Sequence, residues 1–595
     1  MIELKLKEEI YSMIPKIFSI LFSIILYIQC SSIDYKLKYK DASIQNSLEK
    51  IVLEQKKINS LKGISIAIVK PNQTIFTEGY GIESEKNQIP VTEDTAFKIG
   101  SISKVFTALL VMKLVEDGKL SLDKSIDTYI KEFSIYKKPN YNYPTIRQLL
   151  SHHGGMPGDI LNGFEFSNSP PPLYDRKFLE IPALLKNEHM SEMPGKVFAY
   201  SNISFGLLGV LVERLSGKTL NEYAEETLFK PLNLKNTSYL DSNLQRISNG
   251  YISSKEILPP KIRDLGAGSV SSTSKDMAIV MQMLLNMGSF DSKSIMKESS
   301  IKEMLKVQNH NSSYDGNFQI GLPFWLDSNS ASSTLYTHGG DLPPFHAQMI
   351  LDFDTKIGVY VATNTMSSSS NMKNICLKVL FEYNPSSIST KSKSISKNTS
   401  DLVLRDWEGA YINPSSILEI SKVGNDLKTN LGPIYLEGMS DGSFLPKIKL
   451  FFGIVQLRIN ELRNLEFRQF KTDTNEKYIT LSIKEAPAIT YLQYQPTPIL
   501  KSWRSRVGKY KIISNDKNKR IDNIFLSIKN NSLLLEGQLK LLVLDVPLQY
   551  YLRTVSDSLA YIEGVGRNAG EAVQWKEISG EEILEFSGFK FRRSR

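Results

Sequence analysis

Cysteine is nearly missing from this chain: its 595 residues include 2, Cys30 and Cys376. That excludes a disulfide framework, and the 6 histidines show no zinc-ligand spacing with them, so no metal and no cofactor is expected. Charge of one sign is also scarce. Lys and Arg number 72 against 63 acids, a net +9 spread along the whole chain, and nucleic acid is not an expected partner. A membrane-spanning run is lacking too, because the apolar stretch Ile17–Ile28 is shorter than the roughly 18–20 residues that cross a bilayer. What the chain does hold is core-forming material, 41% hydrophobic residues with 27 Tyr and 27 Phe. This excludes a disordered or fibrous protein and fits about two to four globular domains.

The stretch Ile17–Ile28 reads as the core of a signal peptide over residues 1–30, with Met13, Pro15 and Lys16 as a compact basic start. It ends in Tyr27-Ile28-Gln29-Cys30-Ser31-Ser32, which resembles a bacterial lipoprotein cleavage box with Cys30 as the lipidated residue, although Gln29 replaces the usual small residue. Export to the periplasm or cell envelope, with membrane association through the signal or a lipid anchor, is the expectation.

The runs GISIAIVK and TIFTEGY around Pro71-Asn72-Gln73 predict a hairpin over 63–80. Ser101–Glu116 predicts a helix that is apolar nearly all round, hence buried. Helical patterns at 205–215, 220–228 and 275–287 and strands at 347–351 and 358–363 complete an α+β region over 31–384. Residues 385–400 form a Ser/Lys tract with almost nothing to bury, a linker that few contacts are expected to cross. Beyond it short β-rich runs alternate with turn residues, predicting an all-β region duplicated over 401–500 and 501–595. The repeat is Trp407, Gly409 and Tyr411 against Trp503, Gly508 and Tyr510.

A serine hydroxyl is a weak nucleophile without an adjacent base, and a lysine one helical turn along can be that base if its pKa is lowered. Ser101 and Lys104 have this spacing, which puts both on one helix face. So do Ser47 and Lys50, Ser272 and Lys275, and Ser394 and Lys397, the last repeating the letters SISK within the linker. Only Ser101 follows a tight glycine and opens a buried helix, where apolar walls lower the lysine pKa.

Flanking segments extend the signal. FKIGSISKVFTALLVMKLVEDGKLSLD (97–123) is similar to the nucleophile segment of the serine β-lactamase and penicillin-binding-protein superfamily, in its class C and D-alanyl-D-alanine carboxypeptidase-like branch. IRQLLSHHGGMP (146–157), MPGKVFAYSN (193–202), GAGSVSSTSKDMA (266–278) and HGGDLPPFHAQMILDFDTKIGVYVATN (338–364) resemble further elements of that branch, in order. The resemblance implies an antiparallel sheet flanked by helices with an all-helical subdomain, the β-lactamase-like transpeptidase fold. It also suggests lipocalin-like barrels for the C-terminal region.

Residue by residue, the resemblance implies Ser101 as acylated nucleophile, with Lys104 and Tyr200 sharing the proton traffic. Asn202 orients Lys104 and substrate, the backbone N–H groups of Ser101 and Asp341 bind the oxyanion, and Gly339 and Gly340 allow close approach. A Lys104 ammonium is expected to bring the Tyr200 phenol toward neutrality. His338 stands where many relatives carry a lysine, and with an ordinary pKa of about 6.5 should be mostly neutral at pH 7 unless Asp341 or a bound anion raises it. The other histidines are expected to be structural or pocket-lining, or have no context. An ester, amide or peptide is the expected substrate, with a β-lactamase or D-alanyl-D-alanine carboxypeptidase as alternatives, and a non-catalytic envelope-binding protein as the rival of another class.

Overall fold

A computed structural model describes residues 44–595, apart from 161–163, 166–177, 316–317, 328–332, 385–398, 451–454, 458–461, 463–464, 472–474, 484–485, 514–520, 542–543 and 595. The export segment, Cys30 and the linker copy of SISK lie outside the described residues.

The N-terminal region is built on one eight-stranded antiparallel sheet. Its strands are β1 (Gly63–Lys70), β2 (Gln73–Ser84), β3 (Ile89–Pro90), β4 (Gln319–Ile320), β5 (Trp325–Asp327), β6 (Leu335–Leu342), β7 (Phe345–Asp352) and β8 (Ile357–Thr363), in the spatial order β4-β5-β6-β7-β8-β1-β2-β3. The helices around it include α1 (Ile44–Ile58), α2 (Ser103–Glu116), α3 (Asn202–Ser216), α4 (Ser274–Leu285) and α5 (Ser369–Tyr383).

Alternation along β1 explains the layering, since successive strand side chains point to opposite faces. Ile64, Ile66 and Ile68 pack with α1 and α5, while Ala67 and Val69 join the larger core that holds α2, α3 and α4. Both faces are covered, so GISIAIVK reads as a continuous rather than an alternating apolar run. α2 runs through that larger core and buries eleven of its residues, Lys104 among them.

The C-terminal region folds as two closed barrels. In the first, a nine-stranded sheet closes where Ile434–Gly438 pairs with Phe444–Leu450, leaving Val455–Leu457 as an appended strand on an eight-stranded ring. The second is a simple meander of eight strands from Gly508–Ile512 to Phe589–Arg593, closed by pairing of its first and last strands. The duplication is visible where each barrel begins. Gly409 (φ 141°) and Gly508 (φ 150°) open the first strands. Two residues later, Tyr411 and Tyr510 donate their hydroxyls to the carbonyls of Trp407 and Arg506, four residues back in each case. The two tryptophans do not occupy equivalent places: Trp407 caps the end of its short helix, whereas Trp503 lies within its own.

One expectation is overturned. The barrels are not joined to the N-terminal region by the linker alone. Tyr478 and Val565 share a buried apolar cluster with Val197 and Tyr314, Tyr478 donates to Glu192, Thr480 donates to the Tyr314 carbonyl, and His189 is sandwiched between Tyr136 and Tyr561. A tract whose sequence offers almost nothing to bury separates the regions along the chain without separating their surfaces.

Candidate active site

Ser101 sits in a 3₁₀ turn, Gly100–Ile102, that leads into α2. The turn is pinned on both sides: the Ile99 N–H donates to the Val270 carbonyl, and the Ser103 hydroxyl donates to the Gly100 carbonyl while accepting from the Val270 N–H. Lys104, three residues on and fully buried, points back at the turn with its Nζ 3.0 Å from Ser101 Oγ.

Tyr200 and Asn202 converge on the same point because Ser201 between them is extended (φ −133°, ψ 116°), which puts side chains two apart on one side. Ser201 caps α3 by accepting from the Ser204 N–H and donates its own hydroxyl to the Pro157 carbonyl. Asn202 Oδ1 lies 2.7 Å from Lys104 Nζ. The Tyr200 ring lies beneath that nitrogen, 4.9 Å from its centroid, with its phenol beside Ser101. The fourth neighbour of Lys104 is the Ala267 carbonyl, 2.7 Å from Nζ, which gives the segment 266–278 its part in the centre.

β6 supplies the facing wall. A Cβ on Gly340 would stand 1.9 Å from the Ile99 carbonyl oxygen and 3.2 Å from the Ser101 nitrogen, so only glycine permits this approach of strand to turn. His338 shares that strand face, while Gly339 and Asp341 face the opposite way. Gly339 leaves room for Ser369, and the Asp341 carboxylate accepts from the Ser369 N–H and from His346 Nδ1. The side chain of Asp341 therefore belongs to the start of α5, and only its backbone adjoins Ser101. A Cβ built on Gly100 would lie 2.8 Å from the Asp341 nitrogen.

The electrostatics differ from the expectation at two residues. Burial drives the Lys104 pKa well down, assisted by the Arg567 charge and opposed by Asp159 and Asp264. Burial likewise pushes the Tyr200 phenol up, so no Lys104 ammonium brings it toward neutrality. His338 is pushed down to about 3, by burial first and Lys104 second; its Nδ1–H donates to the Gly339 carbonyl. It is neutral throughout the physiological range, and Asp341, bound to His346, does not raise it.

Of the remaining SxxK pairs, Lys50 is exposed on α1 and Lys275 pairs with Glu93 and Asp94 at the surface. Tyr411 and Asn413, the second Tyr-x-Asn, lie in the first barrel, where Asn413 holds a turn. His152 stacks on Tyr200 at 4.2 Å and accepts the Ser201 N–H at Nδ1. His153 bridges the Ser151 carbonyl and Asp315.

Two residues of this centre escaped the sequence reading. Asp159 Oδ1 accepts from Asn202 Nδ2 at 2.7 Å, which orients the amide so that its oxygen faces Lys104. Arg567, from the second barrel, donates to Asp159 Oδ2. Asp159 follows directly on the stretch 146–157, where its position beside Gly158 was the available signal. Arg567 has a fainter one, a run of glycines (Gly564, Gly566, Gly570) around a lone cation.

Known proteins resemble this chain at the level of family and fold. The family described as Beta-lactamase matches residues 48–375. "Beta-lactamase-like protein 4" of Dictyostelium discoideum is 29% identical over 355 residues, covering 55% of this chain and 61% of its own length. "Protein flp" of Staphylococcus aureus (strain N315) is 28% identical over 203 residues, covering 33% of this chain and 39% of its own. The chain thus spans less than two thirds of either relative. Among solved structures, "Crystal structure of SurE with D-Leu" superposes with a TM-score of 0.56 at 18% identity, covering 76% of this chain and 99% of that one, a likeness of fold.

Proposed function

Since this chain belongs to the beta-lactamase family, a family of serine hydrolases, we propose that it hydrolyses a neutral ester, amide or peptide through an acyl-enzyme on Ser101. The observation that carries the reading is the set of neighbours around Lys104 Nζ. A neutral amine has two N–H bonds and one lone pair. Asn202 Oδ1 and the Ala267 carbonyl, each at 2.7 Å, accept the two N–H bonds, and the lone pair is left for the Ser101 O–H at 3.0 Å.

In this reading Lys104 takes the Ser101 proton as Oγ bonds to the substrate carbonyl carbon. The oxyanion is held by the N–H groups of Ser101 and Asp341. Collapse breaks the bond to the leaving group, which receives the proton by way of the Tyr200 phenol, kept protonated by its burial. A water then attacks the acyl carbon, its proton returns through the same groups to Ser101 Oγ, and the acid departs.

Charge supports the neutral substrate class. His338 is neutral, and the arginines nearest the centre, Arg567 and Arg263, are paired with Asp159 and Asp264, so a substrate carboxylate meets no uncompensated partner among them. The N-terminal segment through Cys30 is proposed as the export signal; fractionation of cells expressing wild type and Cys30→Ala tests it, with release of the variant from the membrane as the expected result.

The test of the activity is fluorophosphonate labelling followed by intact mass and peptide mapping, alongside a screen of short p-nitrophenyl esters, D-alanyl peptides and nitrocefin. A single adduct at Ser101 and turnover of neutral esters or amides supports the reading. A folded protein that takes no label favours the binding-protein alternative, and efficient nitrocefin turnover favours a β-lactamase.

A further inference from the structure

The second barrel reaches the catalytic centre. Its loop 563–571 joins the strands Leu559–Ile562 and Ala572–Ile578 and places Arg567 against Asp159, a residue 408 positions earlier in the chain. The guanidinium donates Nε–H to Asp159 Oδ2 at 2.8 Å and has its Nη2 2.6 Å from the same oxygen. It also stands 5.7 Å from the centroid of the Tyr200 ring. Asp159 is 6% exposed, whereas the Arg567 side chain keeps 52% of its surface exposed. The carboxylate is thus buried and depends on its partners, while the arginine reaches it from the solvent side.

The loop is built for this approach. Gly564, Gly566, Asn568 and Gly570 all have positive φ, a zigzag that side chains other than Gly and Asn rarely tolerate. A Cβ at Gly570 would stand 2.0 Å from the His189 carbonyl oxygen, and one at Gly158 would stand 2.5 Å from Arg567 Cγ. The His189 N–H donates to the Gly570 carbonyl at 2.7 Å. The two surfaces meet at backbone distance, and the arginine is delivered by that contact.

Resting on the serine–lysine reading above, we propose that Arg567 is a positioning residue of the catalytic centre, which through Asp159 and Asn202 holds Lys104 in place as a neutral base. Without Arg567, Asp159 would be a buried carboxylate with Asn202 as its remaining neutral partner, and it would draw a proton onto the nearest amine, Lys104. The other groups facing Lys104 are Asp264, which Arg263 neutralises, the Tyr200 phenol, and the neutral His152 and His338. Burial and the Arg567 charge lower the Lys104 pKa, and Asp159 and Asp264 raise it; Asp159 is itself held low, against its burial, by Arg567 first and then by Asn202.

The test is the pH profile of kcat/KM for p-nitrophenyl acetate on the full chain. Arg567→Gln, which leaves Asp159 unpaired, should move the acid limb to higher pH by about half a unit to one unit, a loss of about three- to tenfold on that limb that recovers as pH rises. Asp159→Asn should move the limb the other way, the double variant should bring it back near wild type, and Arg567→Lys should keep it there. An unmoved limb in Arg567→Gln, or a loss by the same factor at every pH, would make the arginine a mere domain clamp and overturn the proposal. Should Arg567→Gln not fold, Asp159→Asn decides alone, and a limb that stays or rises refutes it. Failure of the underlying reading looks different, because Ser101→Ala would then keep its label and its turnover.

Discussion

The two barrels have the same closed architecture and the same opening motif, a Gly-x-Tyr whose tyrosine hydroxyl is tied four residues back, yet they meet the N-terminal region differently. The first docks by side chains, Tyr478 on Glu192 and Thr480 on the Tyr314 carbonyl. The second docks by side chains too, Val565 and Tyr561, but adds backbone contacts, with Gly570 at His189 and the Ala572 N–H on the Glu188 carboxyl, and it sends Arg567 to the centre. Duplication supplied two scaffolds of one kind, and a single glycine-rich loop separates a packing partner from a participant. A function carried by a loop leaves the scaffold's core free of any trace of it.

The largest effects should fall outside both barrels. Ser101→Ala should abolish ester turnover and fluorophosphonate labelling with no change in Tm, because a small side chain is lost from a position whose value is chemical. Ser394→Ala, in the identical tetrapeptide SISK, should change neither. Equal behaviour of the two variants would refute the assignment of the nucleophile.

Next should come the docking surfaces. Gly570→Ala puts a methyl group 2.0 Å from the His189 carbonyl oxygen and into a positive-φ position, so the loop must shift; the expected cost is about 1–3 kcal/mol of stability, with a fall in kcat/KM as Arg567 moves. Tyr478→Phe removes only the hydroxyl that reaches Glu192 at 3.2 Å, a cost of about 1 kcal/mol, and should leave kcat/KM unchanged. If both variants alter turnover alike, the contrast between the barrels does not hold. Chemical denaturation and ester kinetics on the same preparations decide it.

What the sequence made legible follows the same division. Ser101 and Lys104 share a helix turn, Tyr200 and Asn202 flank one extended residue, and Gly340 stands two past His338 on a strand, so each relation is local and survives as a spacing. The layered sheet was legible for a similar reason, since GISIAIVK and the all-round apolar α2 can only be buried. Asp159 and Arg567 meet by tertiary docking across 408 positions, and no periodicity encodes that. Two pKa values were misread for a related cause: spacing shows which groups meet, but the Tyr200 and His338 values follow burial, which only the packed structure reveals.

A pH-dependent effect should be specific to the second barrel. Glu188 and Glu571 are both buried at its docking face, Glu188 accepting from the Ala572 N–H and Glu571 from the Ser587 hydroxyl. Burial raises both pKa values, with the Glu188 charge adding to the effect on Glu571. A carboxyl raised in the folded state binds more protons there than in the unfolded chain, so its contribution is fully present below the unfolded value of about 4.3 and is lost as pH rises through the folded one. Tm should therefore fall from pH 5 toward 8 more steeply in wild type than in Glu188→Gln, by about a degree or a few. Parallel curves would show that the pair does not titrate in this interface.

The smallest effect tests the duplication itself. Tyr510→Phe removes one hydrogen bond, from the phenol to the Arg506 carbonyl at 2.9 Å, and should cost about 1 kcal/mol. Tyr411→Phe removes its bond to the Trp407 carbonyl and also the acceptor for Gln469 Nε2 at 3.0 Å. That amide keeps a second partner in the Asp406 carbonyl, so it is not stranded, and the expected cost is nearer 1.5 kcal/mol, about one and a half bonds' worth. Neither tyrosine touches the catalytic centre, so ester turnover should match wild type in both. Urea unfolding of the two variants should give midpoints in that order with unchanged slopes; a reversed order would mean that the two Gly-x-Tyr motifs, alike in geometry, are not alike in what they hold together.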